Sequence, residues 1–137
     1  MKNTIARGSE AELIVATKAV SLGYTVSFPI SHSSQYDLII DSGKLNRIQV
    51  KRAYRVCDRG KAALCVETRR VLVRHSGNKG SVAKQYEDNS YDWLIAIDCE
   101  TSSTWVIPHT LAQTYKAQIR LETERILPYK NNWSCLG

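Results

Sequence analysis

Arg47-Ile48-Gln49-Val50-Lys51, within the longer run of residues 45–53, alternates polar and apolar side chains with the period of a β-strand. Ile48 and Val50 fall on one face, and Arg47, Gln49 and Lys51 on the other. Just upstream, Asp41-Ser42-Gly43-Lys44 has the composition of a turn, and Tyr36-Asp37-Leu38-Ile39-Ile40 before it reads as another strand. Folded as a hairpin about residues 41–44, the two strands place Asp37 on the face that carries Gln49 and Lys51. A carboxylate, an amide and an ammonium then meet on one patch.

Working outward, residues 9–22 have a helical pattern, with Ser9 as N-cap, Glu12 at the capping-box position and Gly23 as the residue that ends the helix. Ala16, Ala19 and Gly23 share the face of Glu12, which turns that carboxylate toward the body of the protein. A Glu at this spacing commonly does no more than cap, and the two roles are compatible. Residues 24–29 read as the first strand and 30–35 as a serine-containing loop. Two apolar runs at 63–66 and 71–73, separated by Arg69-Arg70, predict a basic hairpin or bent strand, followed by a basic loop at 76–81. That loop lacks the glycine spacing of a phosphate-binding P-loop. Residues 92–97 form a near-continuous apolar run, as in a buried central strand, with residues 103–107 as its partner up to Pro108. A short helix is expected over 109–115 and a short strand near Arg120 and Leu121.

The chain of 137 residues fits a single domain spanning 1–137, and it carries a net charge of +6. The charge is uneven: twelve of the nineteen lysines and arginines lie between Lys44 and Lys84, opposed there only by Asp58 and Glu67. A middle segment so basic points to a polyanionic partner, and Arg52, Arg55, Arg59, Arg69, Arg70, Arg74 and Lys79 are its candidate contacts with double-stranded DNA. The alternative is a merely solvated surface; the preponderance of arginine beside the patch at Lys51 argues against it. Cys57, Cys65, Cys99 and Cys135 show no Cys-x-x-Cys spacing, the histidines are scattered, and the first residues lack the apolar run of a secretory signal. Reduced thiols in a cytoplasmic protein are expected, without a zinc site and without a membrane span.

Oxygen donors from Glu12, Asp37 and Gln49 suit a hard divalent cation such as Mg²⁺, which neutralises phosphate charge and makes water a better nucleophile. Lys51 beside them is placed to orient the attacking water or to stabilise the charge that develops in the transition state. Gln-x-Lys alone is an ordinary pattern for a solvent-facing strand. Its force comes from its position after Tyr36-Asp37 and after the helix that carries Gly8 and Glu12.

Taken in order, Gly8-x-x-x-Glu12, Gly23-Tyr24, Pro29, Tyr36-Asp37, Arg47-Ile48-Gln49-Val50-Lys51, Tyr91-Asp92 and Trp105-Val106-Ile107-Pro108 resemble the PD-(D/E)XK nuclease superfamily. Within it the chain is most similar to intron-encoded homing endonucleases with glutamine in the second-acid position. The resemblance covers residues 8–108 and leaves 109–137 as a C-terminal extension. It implies an α/β restriction-endonuclease-like fold with an α-β-β-β-α-β core and mixed central sheet, Mg²⁺ dependence, and hydrolysis leaving 5′-phosphates. Carried over position by position, Glu12 is the helix acid, Asp37 the first motif acid, Gln49 the substituted second acid and Lys51 the lysine; the carbonyl of Val50 joins Glu12, Asp37 and Gln49 as a metal ligand. The chain departs from the pattern at Tyr36, where the motif has proline, and at Gln49. The expected activity is site-specific double-strand cleavage by a homodimer or homotetramer. A Holliday-junction resolvase, suggested by Ser31, Ser33 and Ser34 ahead of Asp37, is the alternative, and a non-catalytic DNA-binding module is the second.

Overall fold

The computed structural model describes residues 4–31, 33–73 and 81–137. Its first element is helix α1 (Thr4–Ser21), and three strands follow: β1 (Thr25–Ser27), β2 (Leu38–Asp41) and β3 (Leu45–Arg52). Helix α1 begins earlier than the capping pattern predicts. Ser9 is therefore interior rather than an N-cap, and Glu12 lies well inside the helix, where no backbone N–H needs a cap. Ala6, Arg7 and Glu10 are good helix formers, and burial of Ala11, Val15 and Ala19 offsets the cost of about 1 kcal/mol for a helical glycine at Gly8. The other end behaves as expected. Gly23 adopts φ 91°, its N–H bonds the Val20 carbonyl, and Tyr24 N–H bonds Ala19, which together close a Schellman motif.

The hairpin predicted about residues 41–44 is present. Gly43 takes φ 95° and donates its N–H to Asp41 Oδ1 at 2.9 Å. The register pairs Leu38 with Ile48 and Asp41 with Leu45. β3 then pairs in parallel with β8 (Trp93–Ile97), and β8 with antiparallel β9 (Thr104–Pro108). The sheet order β1-β2-β3-β8-β9 makes β3 the middle strand of a mixed five-stranded sheet. Both faces of that sheet are covered. Ile48, Val50, Ile95 and Ile97 pack with α1, while Leu94, Ala96 and Ile107 pack in a second cluster with Leu64, Val66 and Ile119. The unbroken apolar run at 93–97 follows from this two-sided burial.

Between β3 and β8 come β4 (Tyr54–Asp58), β5 (Lys61–Glu67), β6 (Arg70–Val73) and β7 (Ser81–Lys84), and after β9 come α2 (His109–Ala112) and β10 (Gln118–Arg120). The two apolar runs at 63–66 and 71–73 form separate strands in different sheets, neither the basic hairpin nor the bent strand that the sequence predicts. β5 pairs with β4 and β10, and β6 with β7. Arg59 and Gly60, with φ 49° and 78°, form the two-residue turn between β4 and β5, and this tight connection outcompetes pairing across Arg69-Arg70. The predicted loop at 76–81 lies almost wholly outside the described residues.

The last segment is tied to the sheet by polar bonds spanning most of the chain. Buried Asn46 donates through Nδ2 to the carbonyls of Ile40 and Leu136, and its Oδ1 accepts from Trp93 Nε1. Trp133 Nε1 donates to Thr104 Oγ1 at 2.9 Å. No disulfide joins Cys57, Cys65, Cys99 or Cys135. Among the described residues, no helix is long and apolar enough to cross a membrane.

Candidate active site

The ladder between β2 and β3 ends at Leu38–Ile48, and the residue before it still bonds β3. Asp37 N–H donates to the Ile48 carbonyl at 2.8 Å, which sets Asp37 across from Gln49 on the face opposite to Ile48 and Val50. Asp37 Oδ2 accepts from Val50 N–H at 2.7 Å and from Gln49 Nε2 at 2.8 Å. The same Gln49 nitrogen lies 3.5 Å from the Val50 carbonyl oxygen. Its N–H groups thus point at two oxygens that a hard cation would accept, and a half-turn of the amide would present Oε1 instead.

Glu12 comes from the other side of the patch and lies within hydrogen-bonding reach of the Asp37 carboxylate. Burial first, and the charge on Asp37 second, push the Glu12 carboxyl up to about 7. Burial also raises Asp37, against the opposing pull of Val50 N–H, the Lys51 ammonium and Glu12. Both carboxyls are thus raised, Glu12 by burial and the charge on Asp37, and Asp37 by burial. Lys51 is held below its usual value by burial, countered by Asp37 and Glu67. Glu12, Asp37, Gln49 and Lys51 are thus brought together, with the Val50 carbonyl beside them.

This donor set fits a hard divalent ion. Two carboxyls, a main-chain carbonyl and an amide that turns to present Oε1 supply oxygen donors. Among the described residues no three His, Cys, Asp or Glu side chains converge, so Gln49 and Val50 are needed to complete such a shell. The proton on Glu12 also makes ion binding depend on pH. Because the folded value of Glu12 lies above the unfolded one, its contribution to metal-free stability is full below about pH 4.5 and is lost as pH rises through about 7. Glu12 is partly exposed, so about 1–2 kcal/mol is expected rather than the full shift. The Tm measured in EDTA should therefore fall between pH 5 and 8, Mg²⁺ should restore it most at pH 8, and Glu12→Gln should flatten the profile. An unchanged slope in Glu12→Gln would contradict the raised Glu12 carboxyl.

The basic candidates are dispersed. Arg52 pairs with Glu10 at 3.5 Å and Arg55 with Glu122 at 3.6 Å. Arg7, Arg52 and Arg55 line one cleft of about 290 Å³. Arg59 is exposed at its turn, and Arg70 Nη2 donates to the Ser33 carbonyl at 3.4 Å. Arg69 is clasped by Glu67, whose Oε1 accepts from Arg69 Nε at 2.7 Å and from its N–H at 2.9 Å. Arg74 and Lys79 lie outside the described residues. Sequence reasoning missed Glu67 and Tyr86, which surround Lys51. Glu67 left a faint signal as one of only two acids in the basic segment; Tyr86 left none.

The model of the PD-(D/E)XK endonuclease family matches residues 2–132. The chain belongs to that family. It is accordingly a nuclease. The chain is similar to Protein 5.3 of Escherichia phage T7, with 29% identity over 91 residues, 66% of this chain and 69% of that protein. In fold it is similar to a bacterial homing endonuclease, I-Ssp6803I, at a TM-score of 0.83 and 22% identity, covering 98% of this chain and 93% of the other. The family's sequence pattern has a second acid two residues before the lysine. In this nuclease Gln49 stands two residues before Lys51, and its Nε2 donates to Asp37 Oδ2.

Proposed function

We propose that this nuclease is a Mg²⁺-dependent, site-specific endonuclease of double-stranded DNA, of homing type. The observation that carries the reading is the cross-strand placement of Asp37 against Gln49, with Lys51 next along the same face and Glu12 reaching the Asp37 carboxyl from α1. Glu12, Asp37, Gln49 Oε1 and the Val50 carbonyl would hold Mg²⁺, which when bound supplies charge neutralisation at the scissile phosphate and a more acidic water. Val50 N–H and Lys51 favour the ionised form of Asp37 against the burial that raises it, and its carboxylate anchors the site. Lys51, close to the Asp37 carboxylate, stabilises negative charge as the phosphoryl group is attacked. Gln49 brings an oxygen without a charge, which leaves Asp37 and Glu12 as the sole anionic ligands.

The homing assignment draws on the fold shared with a bacterial homing endonuclease and on glutamine in the second-acid position. With one such site per chain, cutting both strands takes at least two chains, so a homodimer or homotetramer on a roughly two-fold target is proposed. The test is incubation with a long natural DNA and with four-way junctions in Mg²⁺. Cutting of the linear DNA at one or few positions, with little preference for junctions, is expected. Symmetric nicking of junctions of arbitrary sequence, with linear duplex intact, would make the protein a resolvase; DNA binding with no cleavage of either would make it a binding module.

If Arg55, Arg59 and Arg70 neutralise DNA phosphates, log affinity should fall with log salt at a slope of about −0.9 per phosphate neutralised. Replacing all three by Ala should flatten that slope by roughly one unit for each phosphate that is no longer neutralised. An unchanged slope would leave these side chains as solvated surface.

A further inference from the structure

Lys51 is held by elements far from its own strand. Its Nζ donates to the Arg69 carbonyl oxygen at 2.8 Å and lies 5.2 Å from the centroid of the Tyr86 ring. Neither partner is free to drift. Tyr86 stands edge-on to Tyr91 with centroids 5.3 Å apart, and Tyr91 stands edge-on to His109 at 4.9 Å. On the other side, Glu67 bonds both the backbone N–H and the guanidinium of Arg69, which fixes the turn presenting that carbonyl. A lysine stem has four rotatable bonds, and an ammonium that wanders stabilises a developing charge poorly. The face of an aromatic ring is electron-rich and attracts a cation placed over it within about 6 Å. Here the ring covers the ammonium while leaving its N–H bonds for polar partners, a task an aliphatic side chain of the same size cannot perform.

We propose that Tyr86 is a positioning residue for the cleavage reaction: its ring face, together with the Arg69 carbonyl, holds the Lys51 ammonium in place on the face of β3 that carries Gln49. The inference rests on the catalytic assignment of Lys51 above. It assigns the work to the ring and none to the hydroxyl. It also gives the Glu67–Arg69 clasp a purpose other than surface charge, because the clasp sets the carbonyl that Lys51 meets.

The test keeps the shape of residue 86 and changes only its π face. Tyr86→Phe and its progressively fluorinated phenylalanine analogues are compared in single-turnover nicking of supercoiled plasmid DNA with Mn²⁺, alongside plasmid affinity in EDTA and Tm. Tyr86→Phe is expected to cut within about twofold of the wild type. Each added fluorine should then slow cutting stepwise, to about tenfold for the fully fluorinated ring, with plasmid affinity and Tm unchanged. A rate independent of fluorine number, or a tenfold loss already in Tyr86→Phe, would overturn the role of the ring. Lys51→Ala separates the two levels. If that variant cuts at the wild-type rate, the assignment of Lys51 falls; if it is inactive while fluorination has no effect, only the role of Tyr86 falls.

Discussion

Asp37→Asn is expected to slow cleavage by on the order of 10³-fold or more while leaving the fold intact, a loss of the size seen when a preorganised electrostatic group is removed. The asparagine oxygen can still accept from Val50 N–H, so the hydrogen bond that joins the start of β2 to β3 survives. What disappears is the carboxyl that Gln49 bonds and that acts electrostatically on Glu12 and Lys51. Removing a buried carboxyl whose ionisation is opposed by burial should also leave Tm equal to or above that of the wild type at pH 8. Single-turnover cleavage together with a thermal melt separates the two effects. Wild-type cleavage by Asp37→Asn would remove Asp37 from the chemistry, and a collapse of Tm would recast it as a structural residue.

The second large effect concerns the end of the chain. Trp133 is 5% exposed and packs in the cluster that α1 forms with the sheet, while its Nε1 donates to Thr104 Oγ1. Trp133→Ala removes a large buried ring and leaves the Thr104 hydroxyl without that donor, so a destabilisation of about 3–5 kcal/mol is expected in urea unfolding. A change below about 1 kcal/mol would mean that residues 109–137 are an appendage rather than part of the packed core. This matters for the site, because the same cluster includes Ile48 and Val50, whose burial holds β3 with Gln49 and Lys51 on its other face.

Much of the geometry of the candidate site was legible because it is built from one local hairpin. The Asp41–Lys44 turn and the alternation of β3 fix which residues face which, and Asp37, Gln49 and Lys51 follow from those two facts alone. Gly23 likewise announced the end of α1. The start of α1 was misread because a Ser followed three residues later by Glu occurs inside helices as well as at their ends. The structure thereby removes capping as the reason for Glu12. The pairing of β5 and β6 was not legible, since alternation marks a strand without naming its partner. The surroundings of Lys51 were hidden for a related reason: Arg69 is eighteen residues away in sequence and Tyr86 lies on the far side of β7. The anchoring of the tail through Asn46 and Leu136, ninety residues apart, is of the same kind.

The central claim is that Glu12, Asp37, Gln49 and Lys51 form a divalent-metal phosphodiesterase site. It is tested most directly by single-turnover incubation of the wild-type protein with a long natural DNA in Mg²⁺, in EDTA, and in EDTA followed by excess Mg²⁺. The account predicts cleavage only when the ion is present, recovery when it is restored, and 5′-phosphate ends on the products. Cleavage at the same rate in EDTA would contradict it.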